Sequence, residues 1–340
     1  MTFRIAMSSL KNTVNPYVSI NAEILKSFGS VTAIPKPKEL IKRPWHYFKR
    51  FDVLVFNWND TVLCQFGGKV TARGKLLLLA SIAYASLIAK HVVFVRHNHH
   101  PHACRCEDQE KAKAFVDWTE SLYSLCVVHS GEQITANRMY VPHPLYAGLA
   151  KMSEPSEPDG APGYFLIFGR IYRYKGVHDL LRVLPDDVDL IVAGECEDAA
   201  YLVELKELSQ GKQVQFRSEY ISDEAAEDLV AGATAVVLSH TGSGPIVSGS
   251  YFFAAGLGAP VVALENAFLD WLQTRKVPGI QLASDYRVLA EMLSNFVSEP
   301  SRREIATFAH SEFGREAVLN AWRSVLERLQ QFLDAGERKI

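Results

Sequence analysis

A chain of 340 residues that is 48% hydrophobic and 22% charged, with 21 Gly and 15 Pro, has an ordinary globular composition; disorder, collagen-like repeats and a disulfide-stapled miniprotein are excluded. The length is ample for two domains, each burying its own core. The formal net charge of -2 argues against a nucleic-acid binder, but it averages two unlike parts: residues 1–155 hold 19 Lys and Arg against 11 Asp and Glu, a net +8, and the remainder carries -10. A basic first part suits an anionic partner such as phosphate groups or a membrane surface.

Along the chain, apolar runs of strand length alternate with helical patterns. Phe3–Met7 and Val53–Phe56 come first, and a basic stretch, Lys36 to Arg50, with Trp45, Tyr47 and Phe48 interleaved, lies between them. Leu76 to Ala89 is the most apolar stretch, but fourteen residues fall short of the ~20 needed to span a bilayer, so it is expected to be a buried helix feeding the strand His91–Val95. Leu125–Val128 is the next run. Met152 to Gly163, rich in Ser, Glu, Pro and Gly, marks an interdomain linker. Beyond it the alternation resumes with Tyr164–Phe168, Val188–Ala193, Val214–Phe216, Ala235–Leu238 and Pro260–Leu264. Arg315 to Leu333 carries apolar residues at helical spacing and should close the fold. These boundaries give a first domain at 1–152, a linker at 153–163, a second domain at 164–310 and a closing helix at 311–340. Strands alternating with helices imply parallel sheets, with ligands beyond the carboxyl ends of the strands.

The five cysteines include no paired Cys-x-x-Cys motifs, which fits a reducing cytosol, and Cys104 and Cys106 after four histidines lack zinc-ligand spacing, so no metal is expected. Met1 to Ser9 has no secretory pattern, so the expected location is cytoplasmic, with peripheral attachment to the inner face of the cell membrane.

Three segments carry chemistry. Gly169, Arg170, Arg173, Lys175 and Gly176 directly follow a strand; glycine permits close backbone approach to a ligand, and Arg170 with Lys175 can converge on phosphate oxygens. Ser248, Gly249 and Ser250 open a helix, whose free amides and positive dipole end suit a pyrophosphate. Asn57-Trp58-Asn59-Asp60 and the His97 to His102 run, which holds four histidines, end neighbouring strands and bring a carboxylate and imidazoles within reach of general-base work.

These motifs, with Gly258-Ala259-Pro260, resemble the two-domain GT-B glycosyltransferases. Within them, Asn15-Pro16-Tyr17, Phe51-Asp52, Asn57-Trp58, His97-Asn98, Pro101-His102, Phe168-Gly169, Tyr174-Lys175-Gly176-Val177 and Ser248-Gly249-Ser250 resemble the GDP-mannose:glycolipid 4-β-D-mannosyltransferases of xanthan-type exopolysaccharide synthesis. The resemblance implies an α/β fold of two Rossmann-like parallel-sheet domains facing a central cleft, with a C-terminal closing helix. It implies transfer of mannose from GDP-mannose, a substrate rather than a cofactor, to a polyprenyl-diphosphate-linked oligosaccharide at an anionic membrane surface. Asp60 is then the expected base, with His97 and His102 as rivals, and Gly169, Arg170, Lys175, Ser248, Gly249 and Ser250 hold the donor. Two glutamates that many retaining members carry correspond to Pro245 and Phe253 here, which favours inversion. The narrower group tends to have His-Trp-Pro-Glu where Asn57 to Asp60 stand, and Asn where Val247 stands. Transfer from a UDP-sugar such as UDP-glucose or UDP-glucuronate, a nucleotide-sugar epimerase, and a non-catalytic nucleotide-sugar-binding subunit are the alternatives.

Overall fold

The computed structural model describes residues 2–10, 16–101, 103–146, 163–241 and 246–334. The chain divides into two compact units. The first comprises Met1–Pro144, Ser243–Val247 and Arg315–Ile340, and the second Leu145–Gly242 and Ser248–Gly314. The 153–162 part of the expected linker, Asn15, His102 and Pro245 lie outside the described residues.

In the first unit the order is β1 (Phe3–Met7), α1 (Pro16–Leu25), β2 (Gly29–Ala33), α2 (Pro37–Lys42), α3 (Pro44–Tyr47), β3 (Phe51–Asn57), α4 (Ala72–Ile88), β4 (Ala89–Arg96), α5 (Gln109–Thr119), β5 (Leu125–Val128) and β6 (Arg138–Tyr140). All six strands are parallel, in the order β2-β1-β3-β4-β5-β6. Strand side chains alternate between faces. Even-numbered Leu54, Phe56, Val92, Phe94 and Cys126 pack under α4 and α5 with Leu78, Ile82, Ala112 and Val116.

In the second unit β7 (Tyr164–Phe168), α6 (Val177–Val183), β8 (Leu190–Ala193), α7 (Ala199–Leu208), β9 (Val214–Arg217), α8 (Asp223–Gly232), β10 (Ala233–Leu238), α9 (Gly249–Gly256), β11 (Val261–Leu264), α10 (Ala267–Thr274), β12 (Ile280–Ala283), α11 (Tyr286–Ser294) and α12 (Arg302–Phe313) follow. They form a second parallel sheet in the order β12-β11-β10-β7-β8-β9. Phe165, Ile167, Val192 and Val237 pack on one face beneath α6, α7 and α11. On the other, the buried Arg302 guanidinium donates to the Val230 and Ala233 carbonyls, tying α12 to the end of α8 and the start of β10.

The last helix, α13 (Arg315–Asp334), belongs to the first unit. Its Trp322 is fully buried, and the indole Nε1 donates to Asn21 Oδ1 of α1 at 2.9 Å. One expectation needs correction. α4 is helical where the apolar run stands, but it is not wholly buried: Leu76 is 67% and Leu87 48% exposed, because one stripe of its apolar side chains, Leu78, Ile82, Ala85 and Ile88, packs into the core. Among the described residues no helix is long and apolar enough to cross a membrane.

Candidate functional site

In the second unit the chain runs from β7 outward to β8, then returns to place β10 on β7's other side, so the carboxyl ends of β7 and β10 form a topological switch point where ligands bind in open α/β sheets. Two side chains converge there on one carbonyl. Lys175 Nζ and Ser250 Oγ each donate to Phe168 O at 3.3 Å. Gly169 follows with φ +87°, a left-handed conformation that favours glycine. A Cβ at Gly169 would stand 3.4 Å from Lys175 Nζ and 3.7 Å from Ser250 Oγ, so the missing side chain leaves a hollow walled by a cation and a hydroxyl.

The loop that carries Lys175 is locked to β10. Ser239 Oγ donates to Lys175 O at 2.6 Å, and Tyr286 Oη donates to Ser239 O at 3.0 Å. Gly176, φ +67°, fits beneath them only because it lacks a Cβ, which would meet Tyr286 Oη at 2.0 Å. Burial lowers Lys175 from 10.5 to about 8. The same burial, with Lys175 beside it, lowers His240 to about 4. Ser248 precedes α9 without capping it by its side chain, and the positive end of that helix suits an anion.

Arg170 and Lys175 do not share this hollow as their spacing led us to expect. The end of β8 delivers two acids beside Arg170, whose guanidinium pairs with Glu197 at 3.0 Å and Glu195 at 3.7 Å; Arg173 pairs with Glu204 and lies over the Tyr201 ring. Exposed pairs of this kind contribute about 0–1 kcal/mol and yield readily to a better anion.

In the first unit, odd-numbered Asn57, His97 and His129 at the ends of β3, β4 and β5 face α1. Tyr17 is their hub. Its hydroxyl donates to His129 Nε2 at 2.8 Å, while His129 Nδ1–H donates to Val141 O at 2.8 Å, which fixes the neutral tautomer. His143 Nδ1 donates to Pro144 O at 2.9 Å. Burial lowers His129 to about 4 and, with His129 beside it, holds His143 well below the usual imidazole range. Trp58, left-handed at φ +52°, stacks on His97 at 4.2 Å, and His97 Nε2 meets Asn57 Oδ1 at 3.3 Å. Among the described residues, buried Asn57 Nδ2, Asn98 Nδ2 and Ser130 Oγ find no hydrogen-bond partner at these same strand ends.

Asp60 has different neighbours. It sits in a 3-10 turn, Asn59–Cys64, under the charge of Arg96, which is itself buried against Asp117 and Glu120. Desolvation raises its carboxyl from 3.8 to about 6. His129 and His143 were missed from the sequence. The available signal was that His129 follows β5 as His97 follows β4.

No family model matches the sequence, and no curated protein resembles it in sequence. Solved structures do resemble it. A complex of HepE from Anabaena with UDP and glucose superposes with a TM-score of 0.63 at 16% identity, covering 96% of this chain and 100% of that one. AviGT4, a glycosyltransferase of avilamycin A biosynthesis, gives 0.58 at 17% identity over 96% and 98%. The fold is GT-B. A UDP-forming α,α-trehalose-phosphate synthase from Burkholderia vietnamiensis agrees at a TM-score of 0.61, with 10% identity over 99% and 100%. In this GT-B chain the Phe253 position is apolar and buried, its ring edge-on to Phe168 at 5.3 Å, and supplies no carboxylate.

Proposed function

We propose that the protein is an inverting glycosyltransferase that moves a hexose from a nucleotide sugar to a hydroxyl of a lipid-linked oligosaccharide. The observation that carries this reading is the hollow over Gly169, bounded by Lys175 Nζ and Ser250 Oγ at the β7/β10 switch point. A diphosphate there meets a cation, a hydroxyl and the amides at Ser248, Gly249 and Ser250, with Arg170 released from Glu197 as a second cation. The acceptor hydroxyl loses its proton to a base and attacks the anomeric carbon. The bond to the diphosphate breaks on the opposite side, and the nucleoside diphosphate departs with charge that Lys175 stabilises. Asp60, raised to about 6, is suited to the base role near neutral pH; His97 is its rival. With these groups in place the reaction calls for no cofactor.

Mannose from GDP-mannose, with a polyprenyl-diphosphate-linked acceptor at the inner face of an anionic membrane, is the reading favoured by the motifs around Asn57, His97 and Tyr174-Lys175-Gly176. A UDP-sugar is the second reading, supported by HepE, whose structures hold UDP and glucose or UDP-glucose. A melting screen of nucleotide sugars separates them, since a ligand at ~100 times its dissociation constant adds roughly 2.7 kcal/mol of stability. A shift specific to GDP-mannose supports the first reading and one specific to a UDP-sugar the second. No shift with any nucleotide sugar overturns both.

A further inference from the structure

The first unit contains a cavity of about 700 Å³, within the ~300–1,000 Å³ range of small-ligand sites. It lies over β1 and β2, with Arg4, Ser30 and Thr32 on the sheet side and Lys36, His46 and Arg50 on the segment that runs through α2 and α3. Arg4 is paired with Asp52, whereas Lys36 and Arg50 have no ion-pair partner among the described residues. The rest of the wall joins apolar Ile34, Tyr47 and Phe51 to the hydroxyls of Ser8 and Ser9 and to one acid, Glu39, so the cations Arg4, Lys36 and Arg50 outnumber the carboxylate. Two unpaired cations and hydroxyls set against apolar side chains match a phosphate on a hydrocarbon chain.

The two short helices are two-sided. While Glu39, His46 and Tyr47 line the cavity, Ile41 and Trp45 are 80% and 90% exposed, and Phe48 is exposed beside them. Lys49 Nζ donates to Ser86 and Ala89 carbonyls and Tyr84 Oη to Pro35 O, which holds this segment against α4, where Leu87 is exposed. Residues 36–50 contain six Lys and Arg and a single acid, Glu39. Exposed Trp and Ile among cations mark a surface for an anionic bilayer, where aromatic rings enter the headgroup layer and lysines meet lipid charge.

We propose that this cavity seats the phosphate head of an isoprenoid membrane lipid, delivered by an anionic bilayer on which Ile41, Trp45, Phe48 and Leu87 rest. The idea rests on the glycosyltransferase reading for its lipid-linked acceptor and adds the place where the lipid head is held. Ser8, in the cavity wall, exchanges two hydrogen bonds with the Asn57 backbone, at 2.7 and 3.2 Å, and the Asn57 side chain meets His97. A sugar carried on the seated phosphate therefore starts two side chains from the imidazole cluster.

The test is co-sedimentation of the full chain with phosphatidylcholine vesicles containing either phosphatidylglycerol or undecaprenyl phosphate at matched charge. The expected result is roughly tenfold tighter binding to the polyprenyl phosphate vesicles. Thr32→Trp, which fills the cavity without changing charge, and Arg50→Gln should each abolish that excess while binding to phosphatidylglycerol persists; melting curves confirm that both variants fold. Trp45→Ser should weaken binding to both vesicles. Equal binding at matched charge, or an undiminished excess in Thr32→Trp, overturns the proposal. So does inorganic phosphate alone raising the melting temperature of the parent as much as the lipid does while leaving Thr32→Trp unmoved, which makes this cavity a soluble-anion site distinct from the one at Lys175. Lipid preference without any sugar transfer overturns the transferase reading and leaves the cavity; transfer to a water-soluble acceptor without lipid preference does the reverse.

Discussion

Burial moves Lys175 and Asp60 toward each other on the pH scale, from 10.5 down to about 8 and from 3.8 up to about 6. Each is a stability cost held at a site of proposed chemistry. For Lys175 the cost is fully present below pH 8, where folded and unfolded chains are both protonated, and it fades as pH rises from about 8 to about 10.5. Lys175→Met should therefore raise the melting temperature at pH 7, lose that gain near pH 10, and weaken nucleoside-diphosphate binding at least roughly tenfold, read by calorimetry. In the parent protein, nucleotide affinity should fall as pH rises past about 8. Asp60 has the opposite sign. Its folded form holds the proton more tightly, so stability is highest below about pH 4 and declines until about pH 6. Asp60→Asn should be neutral to stability near pH 4, stabilising at pH 7, and slower in sugar transfer by about 10²–10⁴-fold. A transfer rate equal to the parent's would remove Asp60 as base and leave His97→Ala as the next variant to assay.

At the scale of elements, the loop between β7 and α6 is held by close packing rather than by length. Gly176→Ala would drive a methyl group into Tyr286 Oη and Ser239 O while forcing alanine to φ +67°. Together these should cost about 2–4 kcal/mol in denaturant unfolding and weaken nucleotide binding through Lys175. Gly74→Ala should act likewise on α4, because its Cβ would lie 2.3 Å from the Leu63 carbonyl in the turn that carries Asp60. Which elements were legible in the sequence follows from burial. β1, β3, β4, β5, β7, β8, β10 and β11 are flanked by strands on both sides and read as apolar runs. The strands missed were β2, β6 and β12, all at sheet edges, where Gly29-Ser30-Val31-Thr32-Ala33 or Arg138-Met139-Tyr140 need not be apolar. The site divides in the same way. Gly169, Lys175 and Ser250 announce themselves within short motifs, whereas the Tyr17–His129–His143 cluster is assembled from α1 and the segments after β5 and β6, so no local spacing reports it.

At the scale of the whole molecule, the first unit is not finished by the first half of the chain. Its α1 packs on α13, and the buried Trp322 indole satisfies Asn21, which is itself fully buried. Trp322→Ala should cost about 3–5 kcal/mol, and hydrogen exchange should show lost protection in α1 and β1 with little change in β7 and β10. The same arrangement has a consequence during synthesis. About 170 residues separate Pro144 from Arg315. At the usual ~5–20 residues per second, the nascent first unit waits roughly 10–30 s after its sheet has left the ribosome before the helix that covers α1 arrives. Through that interval the flank of α1 that packs on α13 stays bare, and buried Asn21 waits for the Trp322 indole that satisfies its Oδ1.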